Sequence, residues 1–295
     1  MTKFVSPLRY PGGKLKVVDY IKRLYEVNDL CGCTYIEPYA GGASVALGLL
    51  FSKYAGRIKI NDINLSIYAF WYSVLNETEA LCRLIVDTPV TMEVWQRQHE
   101  LQKHKEDAGL LKLGFSTFFL NRTNRSGILN GGVIGGKEQT GAYKMDARYN
   151  KNNLIERIER VAKYADLIDL TSMDAVELIK RYKPTAKTFC YLDPPYYVKG
   201  RDLYLNYYNE EDHKAIADAM KKYKGKWIIS YDSVPFLQEL YKDYRQQEYY
   251  LSYSAGNPSK GKELMVYSEG LILPDTEIVK VKRPKQNNQI TYGRL

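Results

Sequence analysis

Residues 34–62 read TYIEPYAGGASVALGLLFSKYAGRIKIND, and the order of residue types in this stretch decides the fold class. Thr34-Tyr35-Ile36-Glu37 combines β-branched and aromatic residues and suits a short buried strand. Ala40-Gly41-Gly42 supplies a turn, and residues 43–50 continue with small and aliphatic side chains, as a packed helix requires. Residues 57–61 then alternate as a second strand that ends at Asp62. Strand, turn, helix and strand in this succession make a βαβ unit, the building block of a parallel α/β sheet.

Working outward toward the N-terminus, Val17, Val18, Ile21, Leu24 and Tyr25 fall at helical spacing after Gly12-Gly13-Lys14. In the other direction, residues 65–120 keep a helical pattern around Trp71 and Trp95 without a convincing strand, so the sheet is interrupted. Residues 121–150 are glycine-rich and basic, and Leu154, Ile158 and Val161 mark a helix over 151–165. Strand character returns at 167–170 and 188–192, with a helix at 174–182 between them. Further along come a helix at 210–223, a strand at 227–231, a short helix near Phe236, and strands at 248–253 and 263–268. The expected organisation is one sheet domain from residues 1–75 and 151–275, a mainly helical insert at 76–150, and a basic tail at 276–295. That tail carries Lys280, Lys282, Arg283, Lys285 and Arg294, and tails of this type are mostly solvated.

Composition narrows the function classes. The chain has 295 residues, 45% of them hydrophobic, which excludes wholesale disorder and collagen-like or low-complexity architecture. No window approaches the roughly 18–20 apolar residues of a membrane span, and the first residues lack the apolar core of a signal peptide. Cysteines at 31, 33, 82 and 190 are too few for a disulfide framework, so a reduced cytoplasm is expected. A net charge of +9 favours a polyanionic partner, and 27 tyrosines against 8 phenylalanines and 3 tryptophans supply rings able to stack on bases. Tyrosine-rich strands account for that excess equally well.

Three stretches match familiar motifs only in part. Gly131 to Lys137 spells G-x-x-x-x-G-K, but Glu138 follows where a phosphate loop needs a hydroxyl. Cys31-Gly32-Cys33 lacks the spacing of a zinc site, and His99, His104 and His213 do not complete one, so no metal is expected. The turn at Gly41 and Gly42 does not match the dinucleotide pattern, because Glu37 would repel a pyrophosphate there. A carboxylate in that position suits a cationic ligand such as the amino and sulfonium groups of S-adenosylmethionine. Asp62, twenty residues after Gly42, can accept hydrogen bonds from ribose hydroxyls. Either acid could also be an ordinary polar residue at a strand end.

Asp193-Pro194-Pro195-Tyr196 ends an apolar strand abruptly, since neither proline can donate to a sheet ladder. An exocyclic amine is a poor nucleophile while its lone pair is delocalised into the ring. If the Asp193 carboxylate and the Pro194 carbonyl each accept one N–H, the nitrogen is drawn toward a tetrahedral shape and can face a methyl donor. Tyr196 can meanwhile stack on the base, with Pro195 fixing the bend. A strand that merely stops at Pro-Pro with an exposed acid is the plain alternative.

These stretches together resemble the Dam-like (D12) class of site-specific DNA adenine-N6 methyltransferases. Tyr10-Pro11-Gly12-Gly13-Lys14 resembles its N-terminal segment, Glu37 through Ala43 its glycine turn, Phe118 through Arg122 with Ser126-Gly127 its recognition region, and Asp193 through Tyr196 its catalytic site. The resemblance spans residues 6–270. It implies an α/β, Rossmann-like S-adenosylmethionine-dependent methyltransferase sheet with an inserted helical DNA-recognition domain. It further implies transfer of a methyl group to N6 of an adenine flipped out of double-stranded DNA, with a cognate restriction endonuclease as a partner it allows and no membrane.

Carried over residue by residue, Tyr10 and Lys14 would touch the methionine end of the cofactor, Asp62 its ribose, and Asp193 the target amine; Glu37, Gly41 and Gly42 would line the cofactor turn. Asp174 resembles the residue approaching the cofactor's adenine, and it would equally cap a helix. The insert departs from familiar members of the class, so no target sequence follows. Between residues 115 and 151 six basic residues stand against two acidic ones. Arg122 and Arg125, with Asn124, are candidates to read bases, while Lys137, Lys144 and Arg148 are candidates for phosphate contacts. Asn257, Lys260 and Lys262 in the loop between the last two strands could also contact DNA. Methylation of cytosine N4 or of RNA adenine, and a non-catalytic DNA-binding protein on the same fold, are the rival readings.

Overall fold

β1 (Cys33–Glu37) pairs in parallel with β2 (Ala55–Asn61) on one side and with β4 (Thr188–Leu192) on the other, so the strand order reverses beside β1. The computed structural model describes residues 5–9, 14–198, 208–253 and 259–279. β3 (Ile168–Thr171) extends the sheet beyond β2, and β5 (Lys226–Asp232) extends it beyond β4, both in parallel. An antiparallel hairpin of β6 (Arg245–Tyr253) and β7 (Ser259–Tyr267) completes seven strands in the order β3-β2-β1-β4-β5-β7-β6. The fold is therefore a Rossmann-like α/β sheet, as expected.

Alternation along the strands sends neighbours to opposite layers. Tyr35, Phe189, Tyr191 and Ile228 join the core formed with α1 (Val18–Val27), α2 (Ser44–Phe51) and α3 (Leu65–Asn76). Ile36, Cys190, Leu192 and Ile229 join the core beneath the helices at Ala175–Arg181 (α8), Glu210–Lys222 (α9) and Pro235–Leu240 (α10). Both faces are covered, which explains why residues 189–192 of β4 read as an unbroken apolar run.

The intervening helices are α4 (Thr78–Asp87), α5 (Met92–Lys103) and α6 (Leu110–Thr123), followed by α7 (Lys151–Ala162). α6 lies close against α3: a Cβ at Gly114 would come within 2.5 Å of the Ala69 carbonyl, and the Phe70 and Phe118 rings stack at 6.1 Å. Phe118 and Phe119 belong to the same buried cluster as Tyr35 and Ile60, so these helices share a core with one face of the sheet. No described helix is long and apolar enough to cross a membrane. The basic residues from Lys280 onward lie outside the described residues.

The late hairpin is longer than its sequence pattern, running from the Arg245↔Tyr267 pair to Tyr253↔Ser259. Polar residues Arg245-Gln246-Gln247 and Ser259-Lys260 pair through their backbones, which leaves no hydrophobic signal to announce them.

Candidate active site

The carboxyl ends of β1, β2 and β4 carry Glu37, Asp62 and Asp193, beside the reversal in strand order where ligands of open α/β sheets bind. The turn after β1 is held open by its backbone. Gly41 has φ +45° and Ala43 φ +46°, both left-handed, and the Ala43 N–H donates to the Ala40 carbonyl at 2.6 Å. The Gly41 N–H donates to Asp62 Oδ2 at 2.8 Å, while its carbonyl accepts from Trp71 Nε1 at 2.9 Å. Gly42 is buried in the same turn.

Asp62 Oδ1 also accepts the Asn64 N–H at 2.9 Å. Burial pushes its carboxyl up to about 6, with the Asn64 and Gly41 N–H groups pulling the other way. Glu37 is buried, and its Oε2 accepts the Ala46 N–H at 3.1 Å. Desolvation holds Glu37 well above the usual carboxylate range, an environment that a cationic ligand would relieve. Asn61 was not singled out by the sequence. Its amide donates to the Pro38 and Met173 carbonyls, each at 3.0 Å, and accepts from Thr171 Oγ1 and the Met173 N–H, joining the ends of three strands.

Asp193 is 26% exposed, and both of its side-chain contacts fall on one oxygen: Oδ1 accepts Ser230 Oγ at 2.7 Å and faces Lys14 Nζ at 3.3 Å. Lys14, only 2% exposed, also binds Glu263 Oε2 at 2.6 Å and donates to the Tyr196 hydroxyl at 3.2 Å. Burial alone would pull the Lys14 ammonium down, but Asp193 together with Tyr249, Tyr196 and Glu263 outweighs it and holds the group well above the lysine range. Desolvation raises Asp193 and Glu263, and Lys14 opposes both shifts. Ser230 is in turn bonded to the Tyr191 hydroxyl at 2.8 Å. Beyond the prolines, Asp232 accepts the Tyr197 and Val198 N–H groups at 2.9 Å and fixes the exit of the Asp193-Pro194-Pro195-Tyr196 bend.

Sequence patterns gave no sign of Glu263, Ser230 or Asp232, each of which stands on or at the end of a strand that pairs with β5 or is β5. They also placed Tyr196 differently. Instead of offering an open ring to a base, it is 4% exposed, with the Lys14 ammonium 5.1 Å from the ring centroid. Lys14, expected at the methionine end of the cofactor, has its ammonium between Asp193 and Glu263.

The basic insert divides into two groups. Arg122, expected to read bases, is buried with Nε 2.8 Å from the Pro7 carbonyl, to which Nη2 also donates. Asn124, likewise expected at the DNA surface, is buried and accepts Trp95 Nε1 at 2.7 Å while donating to the Ile128 and Leu129 carbonyls. Both are corrected to structural roles, because the last turn of α6 faces inward. Arg125, Lys137, Lys144 and Arg148 remain exposed. Arg125 and Lys137 line one hollow of about 200 Å³ with Trp95, Val133 and two glycines. Lys144 donates to the Gln139 carbonyl, and the Arg148 guanidinium lies 5.9 Å from the Tyr143 ring. Lys262 is paired with Glu248 at 2.8 Å on an exposed face. Asp174 caps α8 by accepting the Glu177 N–H at 3.0 Å, the helix-cap reading of that residue. Tyr10 and Asn257 lie outside the described residues, and Lys260 is described only by its pairing with Ser252 on the hairpin.

Comparison with known proteins adds an independent line. A family model described as "D12 class N6 adenine-specific DNA methyltransferase" matches residues 10–254. The chain is 23% identical over 247 residues to the type II methyltransferase M.CviBI of Paramecium bursaria Chlorella virus NC1A, covering 83% of this chain and 90% of that protein. It is 26% identical over 264 residues to the type II methyltransferase M.MjaIII of Methanocaldococcus jannaschii, covering 80% and 88% respectively.

Proposed function

Because the chain belongs to the D12 class N6 adenine-specific DNA methyltransferase family, we propose that Asp193 and the Pro194 carbonyl are the acceptors that hold the target amine. The protein is a site-specific DNA adenine methyltransferase. Membership in the family implies S-adenosylmethionine as the methyl donor, and the donor set suits it: a buried Glu37 for a cationic group and Asp62 for ribose hydroxyls. When bound, that molecule supplies the electrophilic methyl group.

The observation that carries the residue assignment is the asymmetry at Asp193. Ser230 and Lys14 both occupy Oδ1, so Oδ2 is left to accept from the amine. With one N–H on Oδ2 and the other on the Pro194 carbonyl, the nitrogen lone pair is turned out of conjugation and held facing the turn at Gly41. Desolvation raises Asp193 and Lys14 opposes that shift, and a carboxylate there stabilises the positive charge that develops on nitrogen. Tyr196 serves as the wall that steadies Lys14. The double-stranded DNA substrate is gripped through Arg125, Lys137, Lys144 and Arg148, and the adenine is rotated out of the stack at a cost of a few kcal/mol met by those contacts. A restriction endonuclease of matching specificity is the partner that the type II relatives suggest.

The test is chemical. Purified protein supplied with labelled S-adenosylmethionine is expected to label unmethylated double-stranded DNA as N6-methyladenine, within one sequence context, and to leave RNA unlabelled. Label recovered on cytosine, or on RNA alone, would remove the reading.

Asp62 gives a second expected outcome. Ribose hydroxyls donate only to the ionised carboxylate with full effect, so binding favours loss of its proton. Cofactor affinity is therefore expected to rise as pH increases through about 6, the value to which burial has raised Asp62. Titration of wild type and Asp62→Asn with S-adenosylhomocysteine from pH 5 to 8 checks this. A pH slope that survives in the variant would assign the titration elsewhere.

A further inference from the structure

Ser230 lies on β5, whose parallel register with β4 ends at the Leu192↔Ile229 pair and so brings Ser230 beside Asp193, one step further on. Its hydroxyl stands 2.7 Å from Asp193 Oδ1, and the Tyr191 hydroxyl stands 2.8 Å from the Ser230 oxygen. Ser230 and Tyr191 are both fully buried. A carboxylate only accepts, and a serine has one hydroxyl hydrogen to give. That hydrogen goes to Asp193, so Tyr191 must donate its own to Ser230. Both hydroxyls therefore point toward the acid.

The two donors that meet at Oδ1 are not equivalent. Ser230 sits at the short length of a hydroxyl on a carboxylate, about 2.5–2.7 Å, whereas Lys14 at 3.3 Å lies beyond the roughly 2.7–2.9 Å of an ammonium on one. An ammonium is a compact charge whose three donors rotate freely. The last torsion of an aspartate is soft and roughly two-fold. Lys14 thus supplies charge, and Ser230 supplies direction. Without the hydroxyl the carboxylate plane turns, and Oδ2 leaves the line on which it would meet an amine.

We propose that Ser230 and Tyr191 form a positioning relay for methyl transfer, in which the ordered pair of hydroxyls fixes the plane of the Asp193 carboxylate and so decides which oxygen the target amine meets. The proposal rests on the reading above that Asp193 holds that amine. Asp193 is also faced by Lys14, by Glu263 on β7, Tyr249 on β6 and Glu37 on β1. None of these is altered in variants of the relay. The Ser230 bond pulls the Asp193 carboxyl down against desolvation, so its removal lets the group climb.

The experiment measures kcat, the KM for DNA and for S-adenosylmethionine, and the pH profile of kcat, with plasmid DNA prepared free of adenine methylation as substrate. Ser230→Ala is expected to lower kcat about 10- to 100-fold, the scale of one hydrogen bond to a charged group, with both KM values within about threefold. Its acid limb of kcat is expected to move to higher pH, because Asp193 must be ionised to accept the amine. Ser230→Cys keeps a weaker donor in the same place, is expected between alanine and wild type, and decides the matter if Ser230→Ala fails to fold. Tyr191→Phe is expected to shift kcat and the acid limb in the same direction. Combined with Ser230→Ala it adds less than about twofold, since the Tyr191 hydroxyl acts only through Ser230. An unmoved acid limb, losses that multiply across the pair, or wild-type kcat in Ser230→Ala overturns the proposal. Asp193→Ala separates the two levels: if it is inactive while Ser230→Ala is unimpaired, the relay alone is lost, whereas full activity in Asp193→Ala removes the reading beneath it.

Discussion

Asp193→Ala is expected to lower methyl transfer at least about 10³-fold while S-adenosylhomocysteine binds within a few-fold of wild type. The size follows from two losses at one position. The amine loses the acceptor that turns its lone pair toward the methyl group, and the developing positive charge loses the carboxylate beside it. Ground-state affinity for the cofactor survives because Glu37 and Asp62 sit on other strands. Asp193→Asn divides the two losses: its amide keeps an oxygen acceptor but carries no charge, and Ser230 and Lys14 compete to orient that oxygen toward themselves. Residual activity between alanine and wild type is the expected result, read by transfer of labelled methyl groups. Wild-type activity in Asp193→Ala would end the assignment.

Lys14→Met carries the largest expected cost to stability. The substitution leaves Glu263, 1% exposed, and Asp193 facing one another without the ammonium between them. Breaking a buried pair from one side costs about 3–5 kcal/mol. The loss also has a predictable pH dependence. Desolvation already raises both carboxyls and Lys14 opposes it, so its removal lets their folded-state values climb further above the unfolded ones. The folded variant then binds more protons than the unfolded chain across the weakly acidic range, and its stability falls as pH rises. Urea unfolding at pH 5 and pH 8 is expected to show a smaller deficit, relative to wild type, at the lower pH. An equal deficit at both values would place the cost in lost packing of the lysine stem instead of in the uncompensated carboxylates.

Much of this architecture is legible in the chain because local rules and global fold agree. The strand at Thr188–Leu192 is found at its expected limits, and the βαβ unit over residues 34–62 is recovered with its turn at Gly41. The acids at the ends of β1, β2 and β4 converge because parallel strands bring their carboxyl ends to one edge. Glu263 and Ser230 were hidden for the converse reason: their contacts depend on an antiparallel return, and a strand pairing carries no local signature of what it places opposite. Arg122 was misjudged although a signal existed. Arg122 follows Phe115, Phe118 and Phe119 by seven, four and three residues, the spacing of one helical face, so the apolar stripe of α6 predicts it turned inward. Periodicity outweighs charge there, and the guanidinium is buried against the Pro7 carbonyl.

The bond between Lys14 and Glu263 joins positions 249 residues apart. During synthesis the lysine leaves the ribosome long before Glu263 exists, and until then Asp193 is its acidic partner among the described residues. Premature termination after β5 would yield a product with all the familiar signatures and the Lys14–Asp193 pair, but without Glu263. The buried arrangement of Lys14 between two carboxylates therefore forms only once the β6–β7 hairpin has been made.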